Sequence, residues 1–262
     1  MTLQQKVKME SSHESAVISK KLMDAILPLI KDEEIIIIHS ALSKLGFDKS
    51  SNYLKGLMDF LEQLIEMNKT VLLPSFTFSF PKRKKYHYLD PSETGKLADF
   101  AQEYLNFERT KNPMFSFVLE GPRKKRFLAT RTNSGYGDKT AVSELASKDV
   151  AVVMLGAGWD SCTVIHSVEE RQNVPYRIYT NWNYPVDFGN GLENHNFQAF
   201  VRDRNYNTEL NFKRIREVLI KEKKLRQSKL NHITLEAANG QVISELASQM
   251  IKEDPYYFVS FN

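Results

Sequence analysis

The sequence is poor in cysteine and has no long hydrophobic run. Its single cysteine, Cys162, excludes an internal disulfide among the 262 residues, which is typical of proteins in a reducing compartment. No apolar run approaches the roughly 20 residues that a membrane-spanning helix requires. The first residues, MTLQQKVKMESSHES, are polar and lack the apolar core of a signal peptide. These absences predict a cytoplasmic protein with no membrane partner.

A strong charge of one sign is missing as well. Lys and Arg number 36 against 32 Asp and Glu, which gives a net charge of +4. Nucleic-acid binding usually needs a concentrated basic face, so no nucleic-acid partner is predicted. The mild positive excess also disfavours a strongly polycationic substrate, unless an acidic pocket is built locally.

The apolar pattern predicts a single domain of the α/β class over residues 1–262, with residues 1–15 loose or capping. No repeat, low-complexity linker or charge discontinuity divides the chain. We predict a mixed central sheet with helices on both faces. The predicted strands include 35–38, 70–73, 115–120, 127–131, 150–155, 176–183 and 230–235. The predicted helices include 15–30, 53–67, 97–105, 141–147, 163–172, 212–224 and 237–253, and residues 186–196 are predicted to be a loop.

The most informative stretch is residues 150–177, VAVVMLGAGWDSCTVIHSVEERQNVPYR. An unbroken apolar run predicts a strand buried on both faces, and the glycines that follow allow a sharp turn. A helix then carries His166, Glu169 and Glu170 on its first turns. Residues three and four apart share a helix face, so either carboxylate can hold one imidazole nitrogen and leave the other free as a base. On spacing alone a solvated surface pair is the commoner outcome, but ligands of α/β sheets gather at such strand ends.

Weaker signals lie elsewhere in the chain. His39, Ser40 and Ser43 follow another buried strand, although an ordinary helix cap explains the hydroxyls equally well. The basic run 82–85 stands beside aromatic residues and is either solvated or placed to meet phosphate groups. The segment 133–140, NSGYGDKT, matches no complete phosphate-binding loop.

Five motifs in a fixed order carry a more specific signal. They are HSALSKLG at 39–46, LLPSFTF at 72–78, DPSETGKLADF at 90–100, SGYGDKTAVSEL at 134–145 and LGAGWDSCTVIHSVEERQNVPYR at 155–177. Together they resemble the aminoglycoside 3-N-acetyltransferase family. The resemblance covers roughly residues 18–260 and is most specific at Thr163, His166 and Glu169.

The resemblance implies transfer of an acetyl group from acetyl-CoA, as co-substrate and without a metal, to an amine of an amino sugar. It implies that His166 is the general base and that Glu169 orients it. The residues expected to line the CoA channel are His39, Ser40, Ser43, Ser75, Thr77, Tyr136, Gly137 and Thr140. The candidates for binding the amino sugar are Tyr86, Asp160 and Glu170.

The sequence departs from the family in the region where the amino sugar is expected. Residues 112–116 read NPMFS, where many members of the family carry H-P-x-H-S. The loop after residues 72–80 is short and basic. We therefore hypothesise an amino sugar that is neutral or anionic overall, such as a nucleotide-linked one. The alternative is an aminoglycoside antibiotic, whose acetylation confers resistance.

Other functions and mechanisms are compatible with the same residues. Cys162 lies four residues before His166, near a helix start that lowers a thiol pKa, so a covalent acetyl-cysteine route is chemically reasonable. His166, Glu169 and Glu170 could also ligate zinc, although no third ligand of the usual spacing is evident. A non-enzymatic sugar-binding module and transfer from another acyl-CoA are further alternatives. A homodimer is compatible with the sequence, which does not decide the oligomeric state.

Overall fold

The computed structural model describes residues 12–48, 50–130 and 132–261. Most of the segment predicted to be loose, residues 1–11, lies outside this range. The first helix begins at His13, and Ser12 caps it by accepting a hydrogen bond from the amide of Ser15. Among the helices of the described ranges, none combines the length and apolarity needed to cross a bilayer.

Strands and helices alternate along much of the chain. The strands are β1 (Ile35–Ser40), β2 (Thr70–Phe76), β3 (Tyr86–His87), β4 (Glu108–Arg109), β5 (Phe115–Glu120), β6 (Val150–Leu155), β7 (Arg177–Asp187), β8 (Leu192–Arg202), β9 (Thr208–Leu210), β10 (Arg226–Leu230), β11 (Ile233–Asn239) and β12 (Val259–Phe261). The helices are α1 (His13–Ile26), α2 (Ser51–Glu66), α3 (Phe80–Arg83), α4 (Lys96–Leu105), α5 (Lys124–Leu128), α6 (Ala141–Glu144), α7 (Val164–Arg171), α8 (Arg214–Lys221) and α9 (Gly240–Glu253).

Seven strands form the central sheet in the order β10-β11-β6-β1-β2-β5-β4. Strand β1 is parallel to β2 and β6, whereas the other pairs are antiparallel. Successive strand residues point to opposite faces, and β1 shows this directly. Ile35 and Ile37 belong to the core that α7, α8 and α9 cover, and Ile36 and Ile38 to the core under α1, α2 and α4. The predicted mixed sheet with helices on both faces is confirmed.

The turn after β6 brings α7 to the end of the sheet. Gly156 has a φ of +77°, and a Cβ there would lie 2.9 Å from the carbonyl oxygen of Ala41. Both the left-handed conformation and the close approach to the chain after β1 therefore favour glycine. A short 3-10 turn, Trp159–Ser161, precedes α7, so Asp160 and Ser161 lie in this turn, ahead of the helix.

Two predicted strands were wrong. Residues 127–131 were predicted as a strand, but α5 ends at Leu128 with only Phe127 of this helix buried. The predicted strand at 230–235 is a hairpin, because Asn231 adopts a left-handed turn (φ 49°) between β10 and β11. Strand β11 then continues to Asn239, whose side chain caps α9.

The predicted loop at 186–196 was also wrong. Strands β7 and β8 pair along their whole length, from Arg177 opposite Arg202 to Asp187 opposite Leu192. The turn between them contains Gly189 and Gly191, both with positive φ. Many residues of this hairpin are exposed, so its strands lack the apolar run by which sequence reasoning recognises a buried strand.

Candidate active site

His166 and Glu169 lie one turn apart on α7 and contact each other. His166 Nδ1 is 3.0 Å from Glu169 Oε2. The carboxylate is fully buried, while the imidazole side chain keeps 17% of its surface exposed. Arg177 Nη2 also lies 3.1 Å from Nδ1, but an ionised carboxylate can only accept, so the hydrogen bond between the ring and Glu169 assigns the proton to Nδ1. The lone pair of His166 Nε2 is then free to accept a proton.

Two further side chains hold Glu169 in place. Tyr176 donates its hydroxyl to Oε1 at 2.7 Å, and Arg177 Nη2 lies 2.8 Å from Oε2. Burial alone would raise the pKa of Glu169, but the charge of Arg177 and the hydrogen bond from His166 outweigh it and lower that pKa. The carboxylate is therefore ionised, and its charge is compensated by a buried guanidinium.

The surroundings of His166 keep the ring neutral. Burial lowers its pKa, the hydrogen bond to Glu169 opposes this, and the charge of Arg177 lowers the pKa further. Tyr136 stacks on the imidazole with 4.6 Å between ring centroids, and Phe212 meets it edge-on at 4.9 Å. A neutral, sterically fixed imidazole is in the form that a general base requires.

Two cavities meet at His166. The first has a volume of about 330 Å³ and the second about 670 Å³, and His166, Phe78 and Leu210 line both. The first cavity lies along the ends of β1 and β2, the start of α4 and the turn before α7; its lining includes Ile38, His39, Ser40, Pro74, Gly95, Ala98, Asp160 and Thr163. The second cavity lies beside β8 and β9; its lining includes Lys82, Met114, Tyr136, Arg177, Trp182, Arg202, Arg204 and Glu209. One imidazole thus faces two separate spaces.

The residues predicted to line a CoA channel are only partly brought together. His39 and Ser40 line the first cavity, and Tyr136 lines the second. Ser43 is exposed in a short turn after β1. Ser75 is fully buried in β2, and its carbonyl oxygen accepts hydrogen bonds from Arg109 and Ser116.

The remaining three predicted channel residues have structural partners. Thr77 donates its hydroxyl to the carbonyl oxygen of Pro113 at 3.0 Å. Thr140 caps α6 and donates to the carbonyl oxygen of Gly137. A Cβ on Gly137 would lie 2.8 Å from Glu170 Oε1, so this glycine allows close packing of the 134–140 loop against α7.

The three predicted sugar-binding residues lie in different places. Asp160 lines the first cavity and accepts a hydrogen bond from the amide of Lys213. Glu170 lies on α7, where Oε1 accepts a hydrogen bond from the Tyr179 hydroxyl at 3.4 Å. Tyr86 is 1% exposed, lies against the guanidinium of Arg109 and lines neither of the two cavities.

Sequence reasoning missed the roles of Tyr176 and Arg177. Both were visible as the last residues of the longest motif, directly after Pro175, but no helical spacing connects them to Glu169. Their contacts arise because the chain reverses after α7 and β7 begins beneath it. Phe78 was also missed as the aromatic residue shared by both cavities.

Two of the alternative mechanisms find no support in the geometry. Cys162 is fully buried, and burial raises the pKa of its thiol to about 12, so the predicted lowering of that pKa was wrong. No group of three His, Cys, Asp or Glu side chains in the described part of the chain is arranged to hold a metal ion. His166, Glu169 and Glu170 therefore do not form a set of zinc ligands there.

Comparison with known proteins identifies the class of enzyme. The profile of the aminoglycoside 3-N-acetyltransferase family matches residues 37–252, and the chain belongs to this family. The predicted family is confirmed.

Two curated relatives illustrate the distance within the family. The aminoglycoside N(3')-acetyltransferase-like protein YokD of Bacillus subtilis is 22% identical in an alignment 184 residues long that covers 60% of this chain and 65% of YokD. The aligned region is therefore slightly under two thirds of that relative. Aminoglycoside N(3)-acetyltransferase III of Pseudomonas aeruginosa is 24% identical in an alignment 215 residues long that covers 70% of this chain and 79% of the relative.

Solved structures share the fold. The crystal structure of YokD has a TM-score of 0.72 at 17% identity and covers 90% of this chain and 93% of YokD. A binary complex of AAC-IIIb with CoASH has a TM-score of 0.73 at 18% identity, covering 91% and 96% of the two chains. AAC-VIa bound to sisomicin has a TM-score of 0.74 at 14% identity, covering 91% and 97%. At these identities the likeness establishes the fold.

Proposed function

We propose that the protein is an acetyl-CoA-dependent N-acetyltransferase that acetylates an amine of an amino sugar by direct transfer. The observation that carries this proposal is the position of His166. Glu169 holds the ring at Nδ1, and the ring lines both cavities at the place where they meet. A base at such a junction can act on an acceptor in one cavity and a donor in the other within a ternary complex.

The chemistry follows from the state of His166. A protonated amine is not a nucleophile, so the acceptor reacts as the neutral amine, having released its first proton to solvent. As the nitrogen attacks the thioester carbonyl, Nε2 removes the second proton, which the nitrogen must lose to become an amide. The resulting imidazolium is stabilised by Glu169. The tetrahedral intermediate then collapses to the amide and expels CoA, whose sulfur recovers the proton from Nε2. General-base assistance of this kind is typically worth about 10²–10⁴-fold in rate.

We assign acetyl-CoA to the first cavity. Its walls combine apolar side chains, such as Ile38 and Leu97, with the start of α4. The N-cap of α4, Gly95, has no side chain to cap the helix, so the first-turn amides remain available to polar groups of a ligand. The relative whose structure is a binary complex with CoASH supports CoA as the ligand of this fold.

We assign the acceptor to the wider second cavity. The names of the relatives make aminoglycosides the first acceptors to consider, and the sisomicin complex of AAC-VIa supports this class. A nucleotide-linked amino sugar is the second candidate. It is favoured by the charges that line the second cavity. Among the described lining residues, the cations Lys82, Arg202 and Arg204 outnumber the one carboxylate, Glu209.

A thiol-release assay tests the proposal. The full chain is incubated with acetyl-CoA and a panel of amines that contains aminoglycosides, simple amino sugars and nucleotide-linked amino sugars, with His166→Gln as the inactive control. We expect amine-dependent release of CoA by the wild type alone. Release with no amine in the panel would contradict the proposal and favour a non-enzymatic sugar-binding module. Comparing acetyl-CoA with longer acyl-CoA thioesters decides the donor.

A further inference from the structure

Three cations that line the second cavity come from two separate parts of the chain. Lys82 lies on α3, Arg202 ends β8, and Arg204 lies in the turn that follows. All three are exposed. Glu209 on β9 is the carboxylate among the described residues that line this cavity, and Arg177, which also lines it, is already neutralised by Glu169.

These three cations differ from their neighbours in how they are compensated. Arg83, the residue after Lys82, forms an ion pair with Asp90 at 2.8 Å. Within residues 12–48, 50–130 and 132–261, no ion pair joins Lys82, Arg202 or Arg204 to a carboxylate. Arg202 uses one guanidinium nitrogen to donate to the carbonyl oxygen of Thr208 at 2.7 Å, which leaves its other N–H groups available.

We propose that Lys82, Arg202 and Arg204 form an anion-binding subsite, and that the acceptor amino sugar carries a phosphate or carboxylate group. This inference rests on the proposed function, because it assumes that the acceptor occupies the second cavity. Arginine presents a planar set of N–H donors that matches phosphate and carboxylate, and lysine adds a flexible point charge. A polycationic acceptor would be repelled by the same three cations.

The subsite also assists the proposed chemistry. A positive field disfavours the protonated form of a nearby amine and so lowers its pKa. An acceptor whose anionic group contacts the cations can therefore be held tightly while its amine loses a proton to His166 more readily. The phosphates of CoA offer the same anionic chemistry, so an experiment must separate the donor from the acceptor as the source of the anion.

Charge-matched acceptors and charge-reversed variants provide that separation. We would measure kcat/KM for glucosamine 6-phosphate, glucosamine and kanamycin, together with the KM for acetyl-CoA, in the wild type, Lys82→Glu and Arg204→Glu. Lys221→Glu on α8 makes the same charge change at an exposed residue that lines neither cavity and serves as the control. Calorimetric binding of glucosamine 6-phosphate to the CoA-bound protein gives a readout independent of turnover.

The expected result is a preference of the wild type for glucosamine 6-phosphate over glucosamine of about tenfold or more, the size that a few charges at a binding site can produce. Lys82→Glu and Arg204→Glu should abolish this preference and weaken the calorimetric binding, whereas Lys221→Glu and the KM for acetyl-CoA should change little. Faster turnover of kanamycin than of either sugar would overturn the inference and leave the proposed function intact. A raised KM for acetyl-CoA in the variants would also overturn it, since the cations would then serve CoA.

If no amine releases thiol, the proposed function fails, and the calorimetric arm still decides the subsite. Equal binding of glucosamine 6-phosphate by the wild type and Arg204→Glu would show that no anion subsite exists. Weaker binding of glucosamine 6-phosphate by Arg204→Glu than by the wild type would support the subsite as a ligand site without turnover.

Discussion

His39 and His166 lie at the same end of the sheet but differ in exposure and in their partners: His39 is 4% exposed, whereas the side chain of His166 keeps 17% of its surface exposed. Both line the first cavity, and burial lowers the pKa of both, that of His39 to about 3. His166 has the carboxylate of Glu169 at 3.0 Å, whereas Nε2 of His39 has no hydrogen-bond partner among the described residues. Burial alone thus produces a neutral imidazole that resists protonation.

The carboxylate changes what the second ring can do. A general base must accept a proton during the reaction, so its protonated form needs a stabilising partner. Glu169 supplies that partner for His166, and Tyr176 and Arg177 keep the carboxylate ionised and in place. His39 lines the first cavity as a neutral ring. A positive charge on His166 makes the protonation of His39 still less favourable.

The largest expected effect comes from removing the base. His166→Gln keeps the size and polarity of the side chain but cannot take up a proton. We expect kcat to fall by about 10²–10⁴-fold, measured by thiol release. Binding of CoA, measured by calorimetry, should be unchanged, and activity close to that of the wild type would contradict the role of His166.

Removing the partner should have the next largest effect. Glu169→Gln leaves Arg177 buried without its counter-charge, and loss of one member of a buried pair costs about 3–5 kcal/mol. The loss of orientation of His166 should lower kcat on the order of 10–100-fold, by analogy with metal-bound histidines that lose a carboxylate partner. Glu62→Gln, on an exposed position of α2, makes the same change elsewhere and should alter neither urea unfolding nor turnover.

The contrast with His39 predicts a pH effect on stability. In the unfolded chain this histidine titrates near 6.5, whereas its folded pKa is about 3. Between these values the unfolded state binds more protons, so the free energy of unfolding falls as the pH decreases from 6.5 toward 3. The size of the shift corresponds to a loss on the order of 5 kcal/mol.

His39→Gln removes this titration. Urea unfolding of the variant should depend less on pH than that of the wild type over the same range, while both respond equally above pH 7. Identical pH dependence in the two proteins would show that His39 is not held neutral by burial.

The smallest effect is expected at Cys162. Its thiol is fully buried with a raised pKa, so it does not provide a thiolate. Cys162→Ala should retain turnover within about twofold and lose about 1 kcal/mol of stability, the average for a buried substitution. Loss of activity comparable to that of His166→Gln would instead indicate an acetyl-cysteine intermediate.

The sequence predicted those parts of the site whose residues lie close together along the chain. Strand β6 and the first turns of α7 follow from an apolar run, a glycine turn and helical spacing, and the His166–Glu169 contact follows from the i, i+3 relation. Arg177 pairs with Glu169 from the start of the next strand, and no spacing rule applies across such a reversal. The fold likewise was predictable where strands are buried, as in β1 and β5, and not in the exposed hairpin of β7 and β8.

The family resemblance predicted the region of the cavities better than their individual residues. His39, Ser40 and Tyr136 line them, but Thr77 and Thr140 satisfy neighbouring backbone groups instead. Hydroxyl side chains serve equally as caps and as ligands, so their roles depend on which way the backbone turns. That information arises only when distant segments pack together.

Catalysis by His166 depends on the position of one proton, and ¹⁵N NMR of the histidine side chains measures that position directly. In the CoA-bound protein at pH 7, His166 should carry its proton on Nδ1, with Nε2 unprotonated, and should titrate below its ordinary pKa of 6.5. Assignment of the signals rests on their loss in His166→Gln. A proton on Nε2, or a doubly protonated ring at pH 7, would contradict the assignment of His166 as the general base.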